Sequence, residues 1–115
     1  MTPDDFRRLA LALPGVVEGA HMGTTDFRVG RIFATLGYPD ARYGMVQLTP
    51  DLQEMLVAAE PAAFVPVKGG WGLKGATNVV LDAVDEPTLE SALEQAWRLK
   101  AGKRLLAQLD DGARS

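Results

Sequence analysis

The chain has no cysteine and only one histidine among its 115 residues. Disulfide bonds, zinc–thiolate sites, iron–sulfur clusters and cysteine nucleophiles are therefore excluded. No apolar run approaches the roughly 20 residues that a membrane-spanning helix needs. The first residues also lack the basic segment and apolar stretch of a signal peptide. We therefore expect a cytoplasmic protein with no membrane contact.

A surplus of positive charge is lacking as well, since 12 Lys and Arg residues face 15 Asp and Glu residues. Proteins that bind nucleic acid without sequence preference usually carry such a surplus, because their affinity comes largely from neutralised phosphates. Any contact of this kind must come from a local patch. The composition is otherwise ordinary for a globular protein, with 47% hydrophobic residues. The length fits one domain, residues 1–115, with a flexible tail at about 110–115.

Helical and strand patterns alternate along the chain. Apolar residues at helical spacing, each set preceded by a capping residue and a proline, predict helices over 3–13, 50–59 and 86–100. A short helical piece is expected after Gly102. A hairpin is predicted over 26–36, with Gly30-Arg31 as its two-residue loop. Further strands are predicted over 43–48, 64–67 and 77–81, and a loop that becomes a strand near Gly23 is predicted over 16–25.

This order predicts an α+β fold, a two-layer sandwich of the form α-β3-α-β2-α. Strands joined by short turns form an antiparallel sheet, and the helices must cover one face of that sheet to bury their apolar stripes. We expect one core that contains a leucine or phenylalanine from each stripe. The expected members are Phe6, Leu9, Leu13, Leu52, Leu56, Leu89 and Leu93.

The glycine-rich segment 70–75 has the spacing G-x-G-x-x-G. This motif binds dinucleotides when it begins a helix whose amino terminus faces the pyrophosphate. Here the β-branched run at 77–81 predicts a strand in place of that helix. The segment is therefore interpreted as a hairpin loop with a tryptophan anchor, and no cofactor is expected.

Groups suited to catalysis or to metal binding are sparse. His21 has no carboxylate three or four residues further on, so no metal site is predicted and the residue is interpreted as structural or incidental. The two serines are Ser91, inside a predicted helix, and Ser115, at the end of the chain, which disfavours a Ser-His-Asp arrangement. The paired carboxylates belong to helix caps, solvent-facing helix surfaces or the end of the chain. We expect no catalytic residues and no enzymatic activity.

Basic and aromatic residues on the predicted loops are the remaining candidates for function. Basic side chains at hairpin tips can follow a phosphate backbone, and an exposed tryptophan can stack on a base. The alternative is an ordinary solvated edge, with Trp71 packed against the sheet. The candidate nucleic-acid-binding residues are Arg28, Arg31, Lys68, Trp71 and Lys74.

Three segments, taken in order, resemble the MmcQ/YjbR family. They are 13–18 (Leu-Pro-Gly-Val-Val-Glu), 27–34 (Phe-Arg-Val-Gly-Arg-Ile-Phe-Ala) and 66–72 (Pro-Val-Lys-Gly-Gly-Trp-Gly). The resemblance covers about residues 3–105. It implies the same α-β3-α-β2-α sandwich, similar to frataxin-like and type III secretion chaperone-like folds.

The resemblance also implies a class of function. Family members are commonly labelled DNA-binding proteins, with paired loops proposed as two wings, and they carry no agreed catalytic residue or cofactor. Lys68 and Trp71 match a Lys-x-x-Trp found in many relatives, and Arg31 falls on the basic hairpin position. Gly70 stands where many relatives have a histidine.

Two classes of partner follow from these observations. The first is DNA, bound through the basic loops by a module without enzymatic activity. The second is a protein or peptide, bound in a chaperone-like manner on the face or the edge of the sheet. In either case we expect a monomer or a weak homodimer.

Overall fold

The computed structural model describes residues 1–114, with side chains as far as Asp110. Of the tail predicted at about 110–115, the backbone of residues 110–114 is described and Ser115 is not, and the flexibility of this tail stays a prediction. Within the described range the chain forms five helices and six strands. In chain order they are α1 (Pro3–Leu11), β1 (Val17–His21), β2 (Thr24–Val29), β3 (Arg31–Leu36), β4 (Tyr43–Gln47), α2 (Pro50–Ala59), β5 (Phe64–Pro66), α3 (Gly70–Leu73), β6 (Ala76–Val80), α4 (Glu86–Lys100) and α5 (Lys103–Arg114).

The three predicted helices begin where their capping residues indicate. The Thr2 hydroxyl accepts a hydrogen bond from the backbone of Asp5, whose carboxylate accepts one in return from the backbone of Thr2. Thr49 caps α2 and Asp85 caps α4 in the same way, each through a backbone N–H three residues further on. These contacts satisfy N–H groups that the first helical turn leaves without partners.

The six strands form one sheet in the order β1-β2-β3-β4-β6-β5, and every neighbouring pair is antiparallel. Helices α1 and α4 contact each other and both contact β3. The α+β class predicted from the sequence is therefore confirmed.

The structure has one strand more than the sequence predicted, because β1 forms within the segment expected to be a loop. Four of its five residues are exposed, so β1 lacks the alternation of apolar and polar side chains from which a strand is predicted. Its turn to β2 consists of Met22 and Gly23, both at positive φ. The next turn is also tighter than predicted: Gly30 alone, at φ 80°, joins β2 to β3.

The core lies between the sheet and the helices. Phe6 of α1 lies directly over Gly44 of β4, where a Cβ atom would overlap the phenylalanine ring. Trp97 of α4 is fully buried, and its indole N–H donates to the carbonyl of Pro14 at 2.9 Å. Of the predicted core set, Phe6, Leu9, Leu89 and Leu93 are buried, whereas Leu13, Leu52 and Leu56 are half-buried against the same core. Helix α2 thus lies at the margin of the core.

The directions of the strands decide which connections are neighbours. Because neighbouring strands are antiparallel, β2, β4 and β5 run in one direction and β1, β3 and β6 run in the other. The residues that follow β2, β4 and β5 therefore lie at one end of the sheet. This end contains Gly30, the start of α2 and the connection 67–75, and we call it the Gly30 end.

None of the helices between residues 1 and 114 combines the length and the apolar character that a membrane crossing requires.

We predict that Leu93→Ala lowers the free energy of unfolding by about 2–5 kcal/mol, because it removes fully buried side-chain atoms and leaves a cavity. Urea unfolding followed by circular dichroism measures the loss. Leu99→Ala is the matched control, since Leu99 lies on the same helix with 46% of its surface exposed. Equal losses in the two variants would contradict the position assigned to α4.

Candidate functional site

All five candidate residues lie at or next to the Gly30 end of the sheet, with Arg28 in the last part of β2, paired with Ile32. Arg31 begins β3 directly after Gly30, and Lys68, Trp71 and Lys74 belong to the connection 67–75 between β5 and β6. The first connection lies between the second and third strands of the sheet, and the other lies between the fifth and sixth. Neighbouring strands are about 4.8 Å apart, so the two connections are separated by about 14 Å.

The connection 67–75 is held closely against the rest of the protein. A Cβ atom on Gly72 would overlap the carbonyl of Val67, and one on Gly75 would overlap the carbonyl of Leu48. The Gln53 side chain of α2 also contacts this region: its Nε2 donates hydrogen bonds to the carbonyls of Gly72 at 3.0 Å and Ala76 at 2.9 Å. Two glycines of the G-x-G-x-x-G pattern are therefore needed for close packing of the backbone.

The same segment lacks the geometry of a dinucleotide site. The helix that includes its first glycines, α3, is only four residues long, and β6 begins at Ala76. The strand predicted after the glycines is therefore present. In the dinucleotide-binding motif a long helix would start there instead.

Apolar side chains at this end face solvent. Trp71 is 68% exposed and Leu73 is 82% exposed. The alternative in which Trp71 packs against the sheet therefore does not describe this structure. A largely exposed indole ring is available for contact with a partner.

The cations Arg31, Lys68 and Lys74 make no ion pair with any residue between 1 and 110, a property that they share with Lys100, Lys103 and Arg104. The three at the Gly30 end are all exposed. Each arginine of a second group is paired with at least one carboxylate: Arg7, Arg8, Arg28, Arg42 and Arg98. The three unpaired cations at the Gly30 end therefore keep their charge available for an anion.

Arg28 differs from the other four candidates in its ion pair, although it lies next to the same turn. Its Nε and Nη2 atoms donate to the carboxylate of Asp26 at 2.7 and 3.0 Å, and the Asp26 side chain is fully buried. His21 of β1 also contacts this carboxylate, through Nδ1 at 2.9 Å. Arg28 thus belongs to a three-residue cluster on the sheet, with its charge balanced inside the protein.

This cluster lies on the outer face of the sheet, the face opposite α1. One row of paired residues, one from each of the six strands, lies on that face: Gly19, Asp26, Thr35, Met45, Asn78 and Val65. Gly44, which Phe6 covers, belongs to the neighbouring row and therefore to the opposite face. The cluster was missed in the sequence because His21 and Asp26 come together only through the pairing of β1 with β2.

The electrostatics of Asp26 follow from its partners. Hydrogen bonds from Arg28 hold the pKa of the Asp26 carboxyl below its usual value, burial acts in the opposite direction, and His21 adds to the lowering. Asp26 is therefore ionised at neutral pH. In residues 1–110 no group of three His, Asp or Glu side chains is placed to hold a metal ion.

A groove runs beside the connection 67–75. It has a volume of about 560 Å³ and lies between the first half of α2 and the segment that leads from β5 into α3. Sequence reasoning did not find it, because its two walls are separated by more than ten residues along the chain. Its lining residues are Pro50, Gln53, Glu54, Pro66, Val67, Gly69, Gly72 and Leu73.

Two comparisons with known proteins, one with a family model and one with a solved structure, each found a related domain. The family model described as YjbR matches residues 11–99. A crystal structure of the Deinococcus radiodurans protein DR2400, described as a DUF419 domain, is similar with a TM-score of 0.72 and 25% sequence identity. The alignment covers 85% of this chain and 77% of that protein. No curated protein matches the chain.

We predict that Asp26→Asn destabilises the protein at neutral pH by about 1–3 kcal/mol, since it removes the charge that partners Arg28 and His21. The lowered pKa of Asp26 means that its stabilising effect is present above the usual aspartate pKa and is lost as the pH falls through the folded-state value. The difference between variant and wild type should therefore shrink in strong acid. Urea unfolding at neutral and acidic pH measures this change.

The control for that experiment is Asp82→Asn, which removes the same charge at an exposed position. It should leave the free energy of unfolding nearly unchanged at neutral pH. If Asp26→Asn behaves in the same way as this control, the cluster does not stabilise the sheet.

Proposed function

The chain belongs to the YjbR family, and we propose that it is a DNA-binding module that contacts phosphates through the two connections at the Gly30 end of its sheet. The proposal assigns the chain no catalytic role and no cofactor. The contacting cations are Arg31, Lys68 and Lys74, and Trp71 supplies a ring for stacking.

One observation carries this proposal: three cations without an ion pair to residues 1–110 share one end of the sheet with an exposed tryptophan. An unpaired cation on a tightly held connection can bind a phosphate without first breaking an internal ion pair. This local arrangement supports the proposal although the chain as a whole carries a net charge of −3.

The spacing of the two connections also supports it. Their separation of about 14 Å is close to the width of the DNA major groove, which is about 12 Å. Arg31 on one side and Lys68 on the other would then reach phosphates on opposite borders of the same groove. Contacts to phosphate carry no direct sequence information, so the binding is expected to be similar for unrelated duplexes.

Arg28 is left out of the proposed interface. Its guanidinium group already donates two hydrogen bonds to the buried carboxylate of Asp26, and removing them would leave that charge without its main partner. The proposed interface is therefore smaller than the set suggested by the sequence.

A second candidate function, the binding of a protein or peptide, is favoured by the edge strand β1. Val17 on this strand is 63% exposed, and the outer edge of β1 has no neighbouring strand in the described part of the chain. An extended peptide could pair with that edge through backbone hydrogen bonds.

We predict that reversing two charges, in the variant Arg31→Glu with Lys68→Glu, weakens binding to unrelated DNA duplexes by similar factors. The slope of log K against log salt should become shallower by about 0.9 for each phosphate that the variant no longer neutralises. Fluorescence anisotropy titrations over a range of salt concentrations measure both quantities.

The single variants should each produce about half of the change in slope. Arg42→Glu makes the same change in charge as either single variant, but Arg42 lies near the opposite end of the sheet, where its carbonyl accepts from Leu81. This control should retain the wild-type slope. A wild-type protein that shows no salt-sensitive binding at low ionic strength would overturn the proposal and favour the peptide-binding alternative.

A further inference from the structure

The groove between α2 and the connection 67–75 lies directly beside the proposed phosphate contacts. Lys68 stands between Val67 and Gly69, which both line the groove, and Lys74 follows the lining residue Leu73. A chain of nucleotides held by these two lysines would therefore pass along the mouth of the groove. The groove's volume of about 560 Å³ is that of a shallow depression open to solvent.

The walls of the groove are largely apolar. Pro50 comes from the start of α2, Pro66 and Val67 come from the end of β5, and Leu73 comes from α3. Leu73 is 82% exposed, so much of this apolar surface remains in contact with water. A flat, weakly polar group that enters the groove would remove that surface from water, which is favourable.

The polar side chains in the groove are acceptors. The two N–H bonds of the Gln53 amide are both engaged by backbone carbonyls, so only its Oε1 atom is left for a ligand. Glu54 offers a carboxylate that makes no ion pair with residues 1–110. No other lining side chain carries a polar group. The ligand group that complements these acceptors must be a hydrogen-bond donor.

We propose that this groove binds an unpaired nucleobase that carries an exocyclic amino group, such as cytosine or adenine. The ring of the base lies between the apolar walls, and its amino group donates to the Glu54 carboxylate, with Gln53 Oε1 as the second acceptor. Carboxylates accept hydrogen bonds from the cytosine amino group in other protein–DNA contacts. Uracil and thymine present a carbonyl oxygen at that position, which the carboxylate repels.

The inference rests on the proposed DNA-binding function and narrows it to a preference within single strands. Within a duplex the amino group is already paired with the opposite base, and the ring is stacked between its neighbours. A base can therefore enter the groove only from a single strand or an opened site. Trp71, which is largely exposed on the same connection, is available to stack on a neighbouring base.

The test compares two single strands whose bases differ at the group that faces Glu54 and at the adjacent ring nitrogen, which is an acceptor in cytosine and an N–H donor in uracil. Oligodeoxycytidine and oligodeoxyuridine of about ten nucleotides, within the usual site size of single-strand binders, share one backbone and one ring size. Fluorescence anisotropy at neutral pH and low salt measures both affinities. We expect the wild-type protein to bind the cytidine strand roughly tenfold more tightly, which corresponds to about 1.4 kcal/mol.

Glu54→Ala should reduce this ratio to about one, and it should not weaken binding of the uridine strand. Glu90→Ala is the control, because it removes the same charge from an exposed position on α4, outside the groove, and should keep the ratio. Equal salt-sensitive binding of both strands by the wild type would overturn the groove assignment and leave the DNA-binding function standing. A preference that survives in Glu54→Ala, or absence of binding to either strand, would also overturn the assignment, whereas the duplex titration separately decides the DNA-binding function.

Discussion

The antiparallel pairing of the sheet is the constraint on which the proposed site depends. Arg31 and Lys68 are separated by 37 positions in the sequence, and no local pattern connects them. They share one end of the protein because the strands before them, β2 and β5, point in the same direction within an alternating sheet. A parallel crossover at any step between these strands would send one of the two connections to the opposite end.

A second constraint is the close packing of the connection 67–75. Gly72 and Gly75 allow backbone contacts that a side chain would block, and Gln53 donates to two carbonyls of the same region. These contacts fix the backbone that carries the lysines and the tryptophan, so that less backbone entropy is lost when a partner binds. The two hydrogen bonds of Gln53 use both N–H groups of its amide, so the side chains of the adjacent groove offer only acceptors.

The sequence predicted the parts of the fold that local rules control. The caps at Thr2, Thr49 and Asp85 marked the helices, and the alternation in β2 and β3 marked the hairpin around Gly30. Strand β1 could not be found in this way, because its residues are mostly exposed and lack a hydrophobic period. The half-buried positions of Leu52 and Leu56 depend on where α2 packs, which a helical stripe alone does not determine.

The candidate site could be predicted from the sequence only in part, because several of its contacts join residues that are distant in the sequence. Exposed cations on turns are visible in the sequence, and the five candidates do lie at or next to one end of the sheet. The pairing of Arg28 with Asp26 depends on a buried carboxylate that β1 and β2 enclose, and the groove joins residues from α2 with residues beyond β5. Contacts between distant segments of this kind follow from the tertiary fold, and a single sequence gives no direct signal for them.

The central claim, that one end of the sheet binds DNA, can be tested most directly by mapping backbone amide signals during a DNA titration by NMR at low salt. We predict that the signals around Gly30 and in the connection 67–75 shift together and saturate at the same DNA concentration. The turn at Met22 and Gly23, at the opposite end, should remain unchanged. Shifts confined to the opposite end, or spread evenly over the sheet, would contradict the account.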